Sequence, residues 1–289
     1  MSMSTSPSLT TAPAGADRAG TRTTAGRRAA LAAGILVAAA VGALLLLPGV
    51  LAPYPPDTND VAHTFAAPGA HHYFGTDQLG RDVFSRVVYG TRYSVLTGLV
   101  ATAIGVLGGS VLGLAAAAGA RLVDTVIMRL TDVWLAFPEV LLALLVIALI
   151  GTGPTQVAVA IGVAAVPYYA RLVRGQALAV MRAEYVEAAK ILGVPPWRYL
   201  IRHVLPNVGG PVVVLASLGT GSAVAAAAGL SLLGLGPLPP TPDWGVMLAE
   251  GQSYLANAWW IAVFPGVALV LVVLAATLIG RSLQARSVR

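Results

Sequence analysis

Five stretches of this 289-residue chain contain no charged side chain, and they limit the folds that it can adopt. They cover residues 29–56, 93–120, 140–170, 203–242 and 251–280. Each is longer than the roughly 20 apolar residues that a helix needs to cross a bilayer core about 30 Å thick. Charged residues make up 10% of the chain, whereas a soluble domain contains about 25%. The composition therefore argues against a water-soluble enzyme and indicates a membrane protein.

The stretch over 140–170 is interrupted by Gly151-Thr152-Gly153-Pro154, a sequence typical of a turn rather than of the middle of a helix. Dividing the stretch at this turn gives an all-α, polytopic membrane protein with six transmembrane helices. The predicted helices cover residues 29–51, 93–118, 130–150, 156–171, 209–235 and 258–280. The first apolar stretch is too long for a cleaved export signal, so we expect the first helix to be retained.

The basic residues are distributed unevenly between the two sides of this six-helix arrangement. Of the 18 Lys and Arg residues, 15 lie on one side, and only Arg81, Arg86 and Arg92 lie on the other. The positive-inside rule places the richer side, with both termini, in the cytoplasm. The net charge of +6 is therefore an orientation signal, and we expect no nucleic-acid partner.

The same arrangement divides the chain into segments. Residues 1–28 are rich in Ser, Thr, Ala, Gly and Pro and are expected to form a disordered cytoplasmic tail. After the first helix at 29–51, an external loop with a short helix is predicted over 52–92. A core domain of five transmembrane helices covers 93–281, and a cytoplasmic tail covers 282–289.

The second predicted helix carries a small residue at every fourth position. These residues are Thr97, Ala101, Gly105, Gly109, Gly113 and Ala117. In lipid, helices associate by close packing of their backbones, which such a stripe permits. We expect its partner to be another helix of the same chain, although a subunit interface would use the same stripe.

The segment between the fourth and fifth helices predicts two short cytoplasmic helices. The first covers 181–192 and ends at Gly193, a residue that favours a helix C-terminus. The second begins at Pro195-Pro196. Residues that share one face of the first helix are Met181, Tyr185, Ala188, Ala189 and Leu192. Two interpretations remain open: an amphipathic hairpin on the lipid surface, or an element whose small alanines let a partner protein dock.

The external loop contains charged residues at helical spacing and two adjacent histidines. Asp82 and Arg86 are four residues apart, which predicts a small external helix within 74–86 held by its own ion pairs. No third ligand accompanies His71-His72 at a recognisable spacing, so we expect no metal site. The chain has no cysteine, which excludes disulfides and thiolate sites.

Two carboxylates, Asp132 and Glu139, lie in the third predicted helix. Asp132 is expected at the cytoplasmic edge. Glu139 lies about 10 Å deeper, where ionisable groups usually face the bundle interior or water, and it is a candidate for lining an aqueous pathway. The fifth helix is expected to break near the outer face, and Gly229, Ser231 and Gly234 are candidates for the same pathway.

Three segments resemble parts of one family of transport proteins. Glu187-Ala188-Ala189, followed by Gly193 and Leu205-Pro206, resembles the EAA loop of ATP-binding-cassette (ABC) importer permeases. The segments 73–86 and 229–245 are similar to corresponding parts of dipeptide, oligopeptide and nickel permeases.

The resemblance covers nearly all of residues 29–281 and is strongest to the DppC/OppC type of subunit. It implies a type I importer fold of the MetI-like kind, in the bacterial inner membrane, with dipeptides or oligopeptides as cargo. The implied coupling loop over 181–206 contacts an ATPase through Tyr185, Glu187, Ala188, Ala189, Gly193, Leu205 and Pro206. The implied external contact or gate for a substrate-binding protein consists of Phe74, Gly75, Asp77, Gly80, Arg81, Asp82, Asp243 and Trp244.

The resemblance also implies partners. They are a companion permease of the DppB/OppB type, two ATPase subunits or one fused ATPase, and an extracytoplasmic substrate-binding protein, besides membrane lipid. The single lysine, Lys190, lacks the flanking glycine and Ser or Thr of a P-loop. ATP and Mg²⁺ are therefore expected on partner subunits, with no cofactor and no catalytic residue in this chain. The alternative, an ion-coupled secondary transporter or channel, predicts inverted repeats and several buried charges that the sequence does not show.

Overall fold

The computed structural model of the protein describes residue 32 and residues 34–287, with the backbone alone for 286 and 287. In these residues every regular element is a helix, apart from one isolated bridge between Thr76 and Asp82. The predicted all-α fold is confirmed. The tail predicted over 1–28 and the start of the first predicted span lie outside the described residues.

The helices follow in this order along the chain. The first part contains α1 (Gly34–Leu46), α2 (Pro48–Leu51), a 3₁₀ turn (Val61–His63) and α3 (Val83–Ala118). The central part contains α4 (Arg121–Leu135), α5 (Glu139–Ile150), α6 (Pro154–Met181), α7 (Glu184–Ile191), α8 (Pro196–Tyr199) and a π-helical turn (Leu200–Val204). The last part contains α9 (Leu205–Leu232), α10 (Trp244–Gln252) and α11 (Trp260–Ser287).

The helices α3 and α6 run parallel and touch at their backbones. A Cβ atom at Gly109 would lie 2.7 Å from the Val166 carbonyl oxygen, and one at Gly113 would lie 2.6 Å from that of Ala170. Any side chain at these two glycines would push the helices apart. The intrachain role predicted for the small-residue stripe is confirmed over residues 101–113.

The helices α9 and α11 run antiparallel to each other and complete the bundle. Gly221 of α9 packs against Val273 of α11, and Val224 of α9 contacts Gly98 of α3. A buried apolar core around Trp244 joins α3, α9, α10 and α11. The core therefore lies where α10 folds back over the bundle.

Two regions mark opposite ends of the bundle. At one end, residues 52–82 and α10 cover the starts of α3 and α11, and we call this region the cap. At the other end, residues 182–204 connect α6 to α9, and we call this region the hairpin. The helices α3, α6 and α11 run from the cap end to the hairpin end, and α9 returns.

Four helical segments are long and apolar enough to cross a membrane: α3, α6, α9 with its preceding turns, and α11. The helices α4 and α5 meet at an angle of 96° and together qualify as one broken span. The described part of α1 is shorter than these. The six predicted spans thus correspond to four continuous segments, one broken helix and a first span that is described only in part.

The helix boundaries differ most from the predicted ones in four places. α6 continues to Met181, whereas the fourth predicted helix ends at residue 171. The prediction of one helix over 130–150 is wrong, because the chain breaks between α4 and α5 at residues 136–138. Pro138 explains the break, since the residue before a proline avoids helical geometry. α3 begins at Val83 rather than at residue 93, so part of the predicted external loop is helical. α11 continues to Ser287 through most of the predicted C-terminal tail.

Candidate functional site

The hairpin begins with α7, which ends in a left-handed turn. Gly193 has φ +75°, a conformation that favours glycine. The Gly193 N–H donates to the Lys190 carbonyl and the Val194 N–H donates to the Ala189 carbonyl, both at 3.0 Å. This is the hydrogen-bond pattern of a Schellman helix end. The predicted helix end at Gly193 is confirmed, although α7 begins three residues later than predicted.

One side chain of α7 is buried against the bundle. Val186 is fully buried and packs in one apolar cluster with Val173 and Ala177 of α6. The Lys190 ammonium group donates to the Met181 carbonyl oxygen at 2.9 Å, where a cation is favourable because it lies at the C-terminus of α6. These two contacts attach α7 to the end of α6.

The outward face of the hairpin is exposed and largely apolar. Its exposed apolar side chains, with their exposed fractions, are Tyr185 (48%), Ile191 (86%), Leu192 (82%), Trp197 (59%) and Ile201 (61%). Of the residues predicted to contact an ATPase, Ala189 is half-buried. The exposed ones are Tyr185, Glu187, Ala188, Gly193, Leu205 and Pro206. Exposed apolar surface of this kind marks a contact with protein or membrane.

At the cap, four charged side chains form a buried group that we call the cap ion cluster: Asp77, Arg81, Arg86 and Glu250. Arg81 Nε donates to Asp77 Oδ2 at 2.6 Å. Arg86 Nη1 donates to Asp77 and, at 3.0 Å, to Glu250. Asp77 and both arginines are at most 2% exposed. The two positive and two negative charges are paired, so removing one of them would leave a buried charge without its partner, and Arg86 Nε and Nη2 are buried with no hydrogen-bond partner among the described residues.

The prediction of a small external helix within 74–86 is wrong. Asp82 does not pair with Arg86; its carboxylate accepts from the Ser85 N–H at 2.8 Å and caps the N-terminus of α3. His72 Nδ1 lies 2.9 Å from the other oxygen of Asp82. The segment before Asp82 forms turns. The charges that were expected on a solvated helix are therefore buried at the base of the cap.

Asp243 and Trp244 connect α10 to α3. The Asp243 carboxylate caps α10 and also accepts from the Ser94 hydroxyl at 2.8 Å. The Trp244 indole N–H donates to the Val87 carbonyl at 3.0 Å. Of the residues predicted to contact a binding protein or to form a gate, Phe74 is half-buried. The buried ones are Gly75, Asp77, Gly80, Arg81, Asp82, Asp243 and Trp244. In this conformation they support the outer surface of the cap.

A cavity of about 350 Å³ lies between α3, the break from α4 to α5, α6 and α9. Aromatic residues form much of its wall, namely Trp134, Phe137, Tyr168 and Tyr169. Among the residues that line it, Glu139 at the start of α5 is the one with a charge.

The structure does not bring the four candidate pathway residues together. Gly229, Ser231 and Gly234 lie at the cap end of α9, away from the cavity that Glu139 lines. Ser231 is buried beside Gly236 and Gly245, whereas Gly229 and Gly234 are exposed. The predicted break of the fifth helix near its outer end is confirmed, since α9 ends at residue 232.

Comparison with known proteins identifies the family. The profile of the family described as "Binding-protein-dependent transport system inner membrane component" matches residues 105–289. The glutathione transport system permease protein GsiD of Pectobacterium atrosepticum is 40% identical over 256 residues, covering 88% of this chain and 85% of the relative. The dipeptide transport system permease protein DppC of Alkalihalophilus pseudofirmus is 40% identical over 228 residues, covering 79% and 75%. The chain belongs to this family of transport permeases.

Solved transporters share the fold of this permease. The MetNI methionine ABC transporter in an inward-facing conformation matches with a TM-score of 0.54 at 20% identity, covering 68% of this chain and 96% of that chain. An amino acid ABC transporter with histidines matches with a TM-score of 0.55 at 16% identity, covering 70% and 94%. The predicted MetI-like fold and the location in the inner membrane with several spans are confirmed.

The sequence patterns did not reveal several residues of the permease that the structure brings together. Glu250 lies 164 residues from its partner Arg86, so no local spacing connects them. Tyr168 and Tyr169 line the cavity with Trp134. Adjacent tyrosines in the middle of an otherwise apolar span are a signal that could have marked this wall, because polar hydroxyl groups there need a partner or water.

Proposed function

We propose that this permease forms half of the translocation pathway of an ATP-driven importer of short peptides, and that its hairpin docks onto a separate ATPase subunit. The observation that carries the proposal is the exposed face of the hairpin, which combines apolar side chains with the carboxylate of Glu187. The names of relatives that transport glutathione and dipeptides support a short peptide as the cargo.

The exposed charges of the hairpin are divided between two surfaces. Arg198 and Arg202 lie near the return to the membrane. Arg182 precedes α7, which exposes Glu184, Glu187 and Lys190. The cation of α7, Lys190, contacts the end of α6. A helix that lies on anionic lipid presents Lys and Arg, because the cytoplasmic leaflet is negative. The acidic face of α7 therefore favours a protein partner, and the arginines suit adjacent lipid head groups.

The distribution of charge supports an orientation with the hairpin end in the cytoplasm. Two of the three arginines expected outside, Arg81 and Arg86, are neutralised in the cap ion cluster. The positive-inside rule then assigns the hairpin end and both termini to the cytoplasm. An ATPase reaches the hairpin there, and a substrate-binding protein reaches the cap from outside.

The other components of the importer follow from this arrangement. A companion permease of the DppB/OppB type forms the second half of the pathway. ATP and Mg²⁺ bind to two ATPase subunits, or to one fused ATPase, since Lys190 is not in a P-loop sequence.

Reversing the charge of Glu187 tests the docking surface. In the intact transporter, Glu187→Arg is expected to weaken association with the ATPase by roughly tenfold or more, equivalent to about 1.4 kcal/mol, and to lower peptide uptake. Because Glu187 is exposed, the amount of permease in the membrane should not change. Co-purification of the ATPase with the tagged permease measures the association.

Asp57→Arg is the matched control, because it makes the same charge change at an exposed position of the cap. It is expected to leave ATPase co-purification at the wild-type level. If Glu187→Arg retained both its ATPase and normal uptake, the hairpin would not be the docking surface.

A further inference from the structure

We propose that Glu139 and the aromatic wall of its cavity form a binding site for an ammonium group of the cargo. This inference rests on the proposed function, since it assigns a contact between the permease and the peptide that it carries.

The cavity lies near the middle of the length of the helices that enclose it. Tyr169 on its wall lies 15 residues after the first residue of α6 and 12 before the last, or roughly 22 Å and 18 Å along the helix axis. Glu139 begins α5, whose 12 residues lead toward the cap end and span roughly 18 Å. A carboxylate at this depth in a core about 30 Å thick must face water or protein.

Glu139 differs from the carboxylates of the neighbouring helix. In α4, Asp132 pairs with Arg171 at 2.6 Å, and Asp124 pairs with Arg174. Within the part of the chain that the structure describes, no side chain forms an ion pair or a hydrogen bond with Glu139. Its negative charge is therefore available to attract a cation from the pathway.

The wall around Glu139 favours an organic cation. Trp134, Tyr168 and Tyr169 line the same cavity, and the face of an aromatic ring attracts a cation. Tyr168 is 56% exposed, so part of its ring is accessible. Trp134 Nε1 is buried and has no hydrogen-bond acceptor among the described residues. A carboxylate and accessible rings complement the ammonium group of a short peptide.

A metal ion is a poorer match for this site. Ca²⁺ takes about six to eight oxygen ligands, and Mg²⁺ requires octahedral coordination. The described residues contain no group of three or more His, Cys, Asp or Glu side chains that could hold a metal ion. The volume of about 350 Å³ lies at the lower end of the roughly 300–1,000 Å³ of small-ligand sites. The volume suits a cargo of dipeptide size.

The test uses the complete transporter in proteoliposomes, with its companion permease, ATPases and binding protein. Uptake of radiolabelled alanylalanine and lysylalanine is measured together with ATP hydrolysis. Glu139→Gln is expected to reduce uptake at least fivefold while ATP hydrolysis stimulated by the binding protein persists. Glu139→Asp should restore most of the uptake, because it retains the charge. Asp132→Asn, which removes a carboxylate that pairs with Arg171 and does not line the cavity, is the control expected to transport at the wild-type rate.

The two peptides distinguish the sources of the ammonium group. An equal loss for both assigns the site to the peptide N-terminus, and a loss confined to lysylalanine assigns it to a lysine side chain. Unchanged uptake of both peptides by Glu139→Gln overturns the site. If the wild-type transporter shows no ATP-dependent uptake at all, the proposed function fails instead.

A second pair of variants tests the aromatic wall. Tyr168→Phe keeps the ring and Tyr168→Leu removes it, although both remove the hydroxyl group. Because the ring face attracts the cation, Phe is expected to retain near wild-type uptake and Leu to lose severalfold. Equal uptake by the two variants overturns the role of the ring.

Discussion

At the cap, charged side chains are buried and paired with one another, whereas at the hairpin apolar side chains are exposed. The cap contacts join residues far apart in sequence, such as Arg86 with Glu250 and Ser94 with Asp243. The hairpin contacts are mostly local, and its outward face has no neighbour among the described residues. The comparison indicates that the buried polar contacts of the cap are made within one chain, whereas the apolar face of the hairpin is covered only when a partner binds.

The largest expected effect comes from breaking the cap ion cluster. Asp77→Ala leaves two buried guanidinium groups with Glu250 as their remaining acidic partner. Removing one member of a buried ion pair costs about 3–5 kcal/mol. We expect a clear fall in the melting temperature of the purified permease, measured by thermal unfolding in detergent. Asp57→Ala, at an exposed cap position, should change the melting temperature little, and equal effects of the two variants would contradict a stabilising role of the cluster.

A smaller and more local effect is expected at the hairpin. Val186→Ala removes two buried methyl groups from the contact with α6, at a cost of about 1–2 kcal/mol. Because few other contacts hold α7, faster exchange of backbone amide hydrogens should be confined to the hairpin. The amides of α3 should exchange as slowly as in the wild type. Ile191→Ala, at a side chain that is 86% exposed, is the control. Loss of protection throughout the bundle would show that the hairpin is not a separate local unit.

The smallest expected effect is the acid response of the cap. A hydrogen bond from His63 lowers the pKa of Asp60 below its ordinary value of 3.8. The folded state therefore binds a proton at Asp60 less readily than the unfolded state does. The contact between His63 and Asp60 stabilises the fold above pH 3.8, and this contribution is lost as the pH falls through the folded-state pKa of Asp60. Thermal unfolding between pH 5 and pH 3 measures it, and Asp60→Asn should remove that part of the acid dependence. If the melting temperatures of Asp60→Asn and Asp57→Asn depended on pH in the same way, the contact between His63 and Asp60 would contribute nothing to stability.

The comparison also shows which parts of the fold could be predicted from sequence. Gly193 and Pro196 end and begin helices through their own backbone preferences, so the hairpin could be predicted. The contact between α3 and α6 could be predicted from the small-residue stripe of α3, because close contact between two helix backbones requires a small residue at every fourth position. Long apolar stretches likewise located the spans.

The remaining features depend on contacts that local spacing does not contain. Asp82 and Arg86 have the spacing of a helical ion pair, but Asp82 caps α3 while Arg86 turns to Asp77 and Glu250. The break between α4 and α5 lies between Asp132 and Glu139, outside the charge-free stretch 140–170, and Pro138 was its clearest local signal. Glu139 could be singled out by its depth, whereas the only sequence signal for its aromatic neighbours on α6 was the adjacency of Tyr168 and Tyr169 in an apolar span.

The parallel contact between α3 and α6 has a consequence for biosynthesis. From the last residue of α3 at Ala118 to the last residue of α6 at Met181, the ribosome adds 63 residues. At about 5–20 residues per second, this takes roughly 3–13 s. During that interval the glycine face of α3 has no helix to pack against, while α4 and α5 emerge between the two partners. The nascent permease must therefore retain α3 in the lipid or at the insertion machinery until α6 arrives, and a chain truncated before Pro154 lacks the helix that closes the bundle.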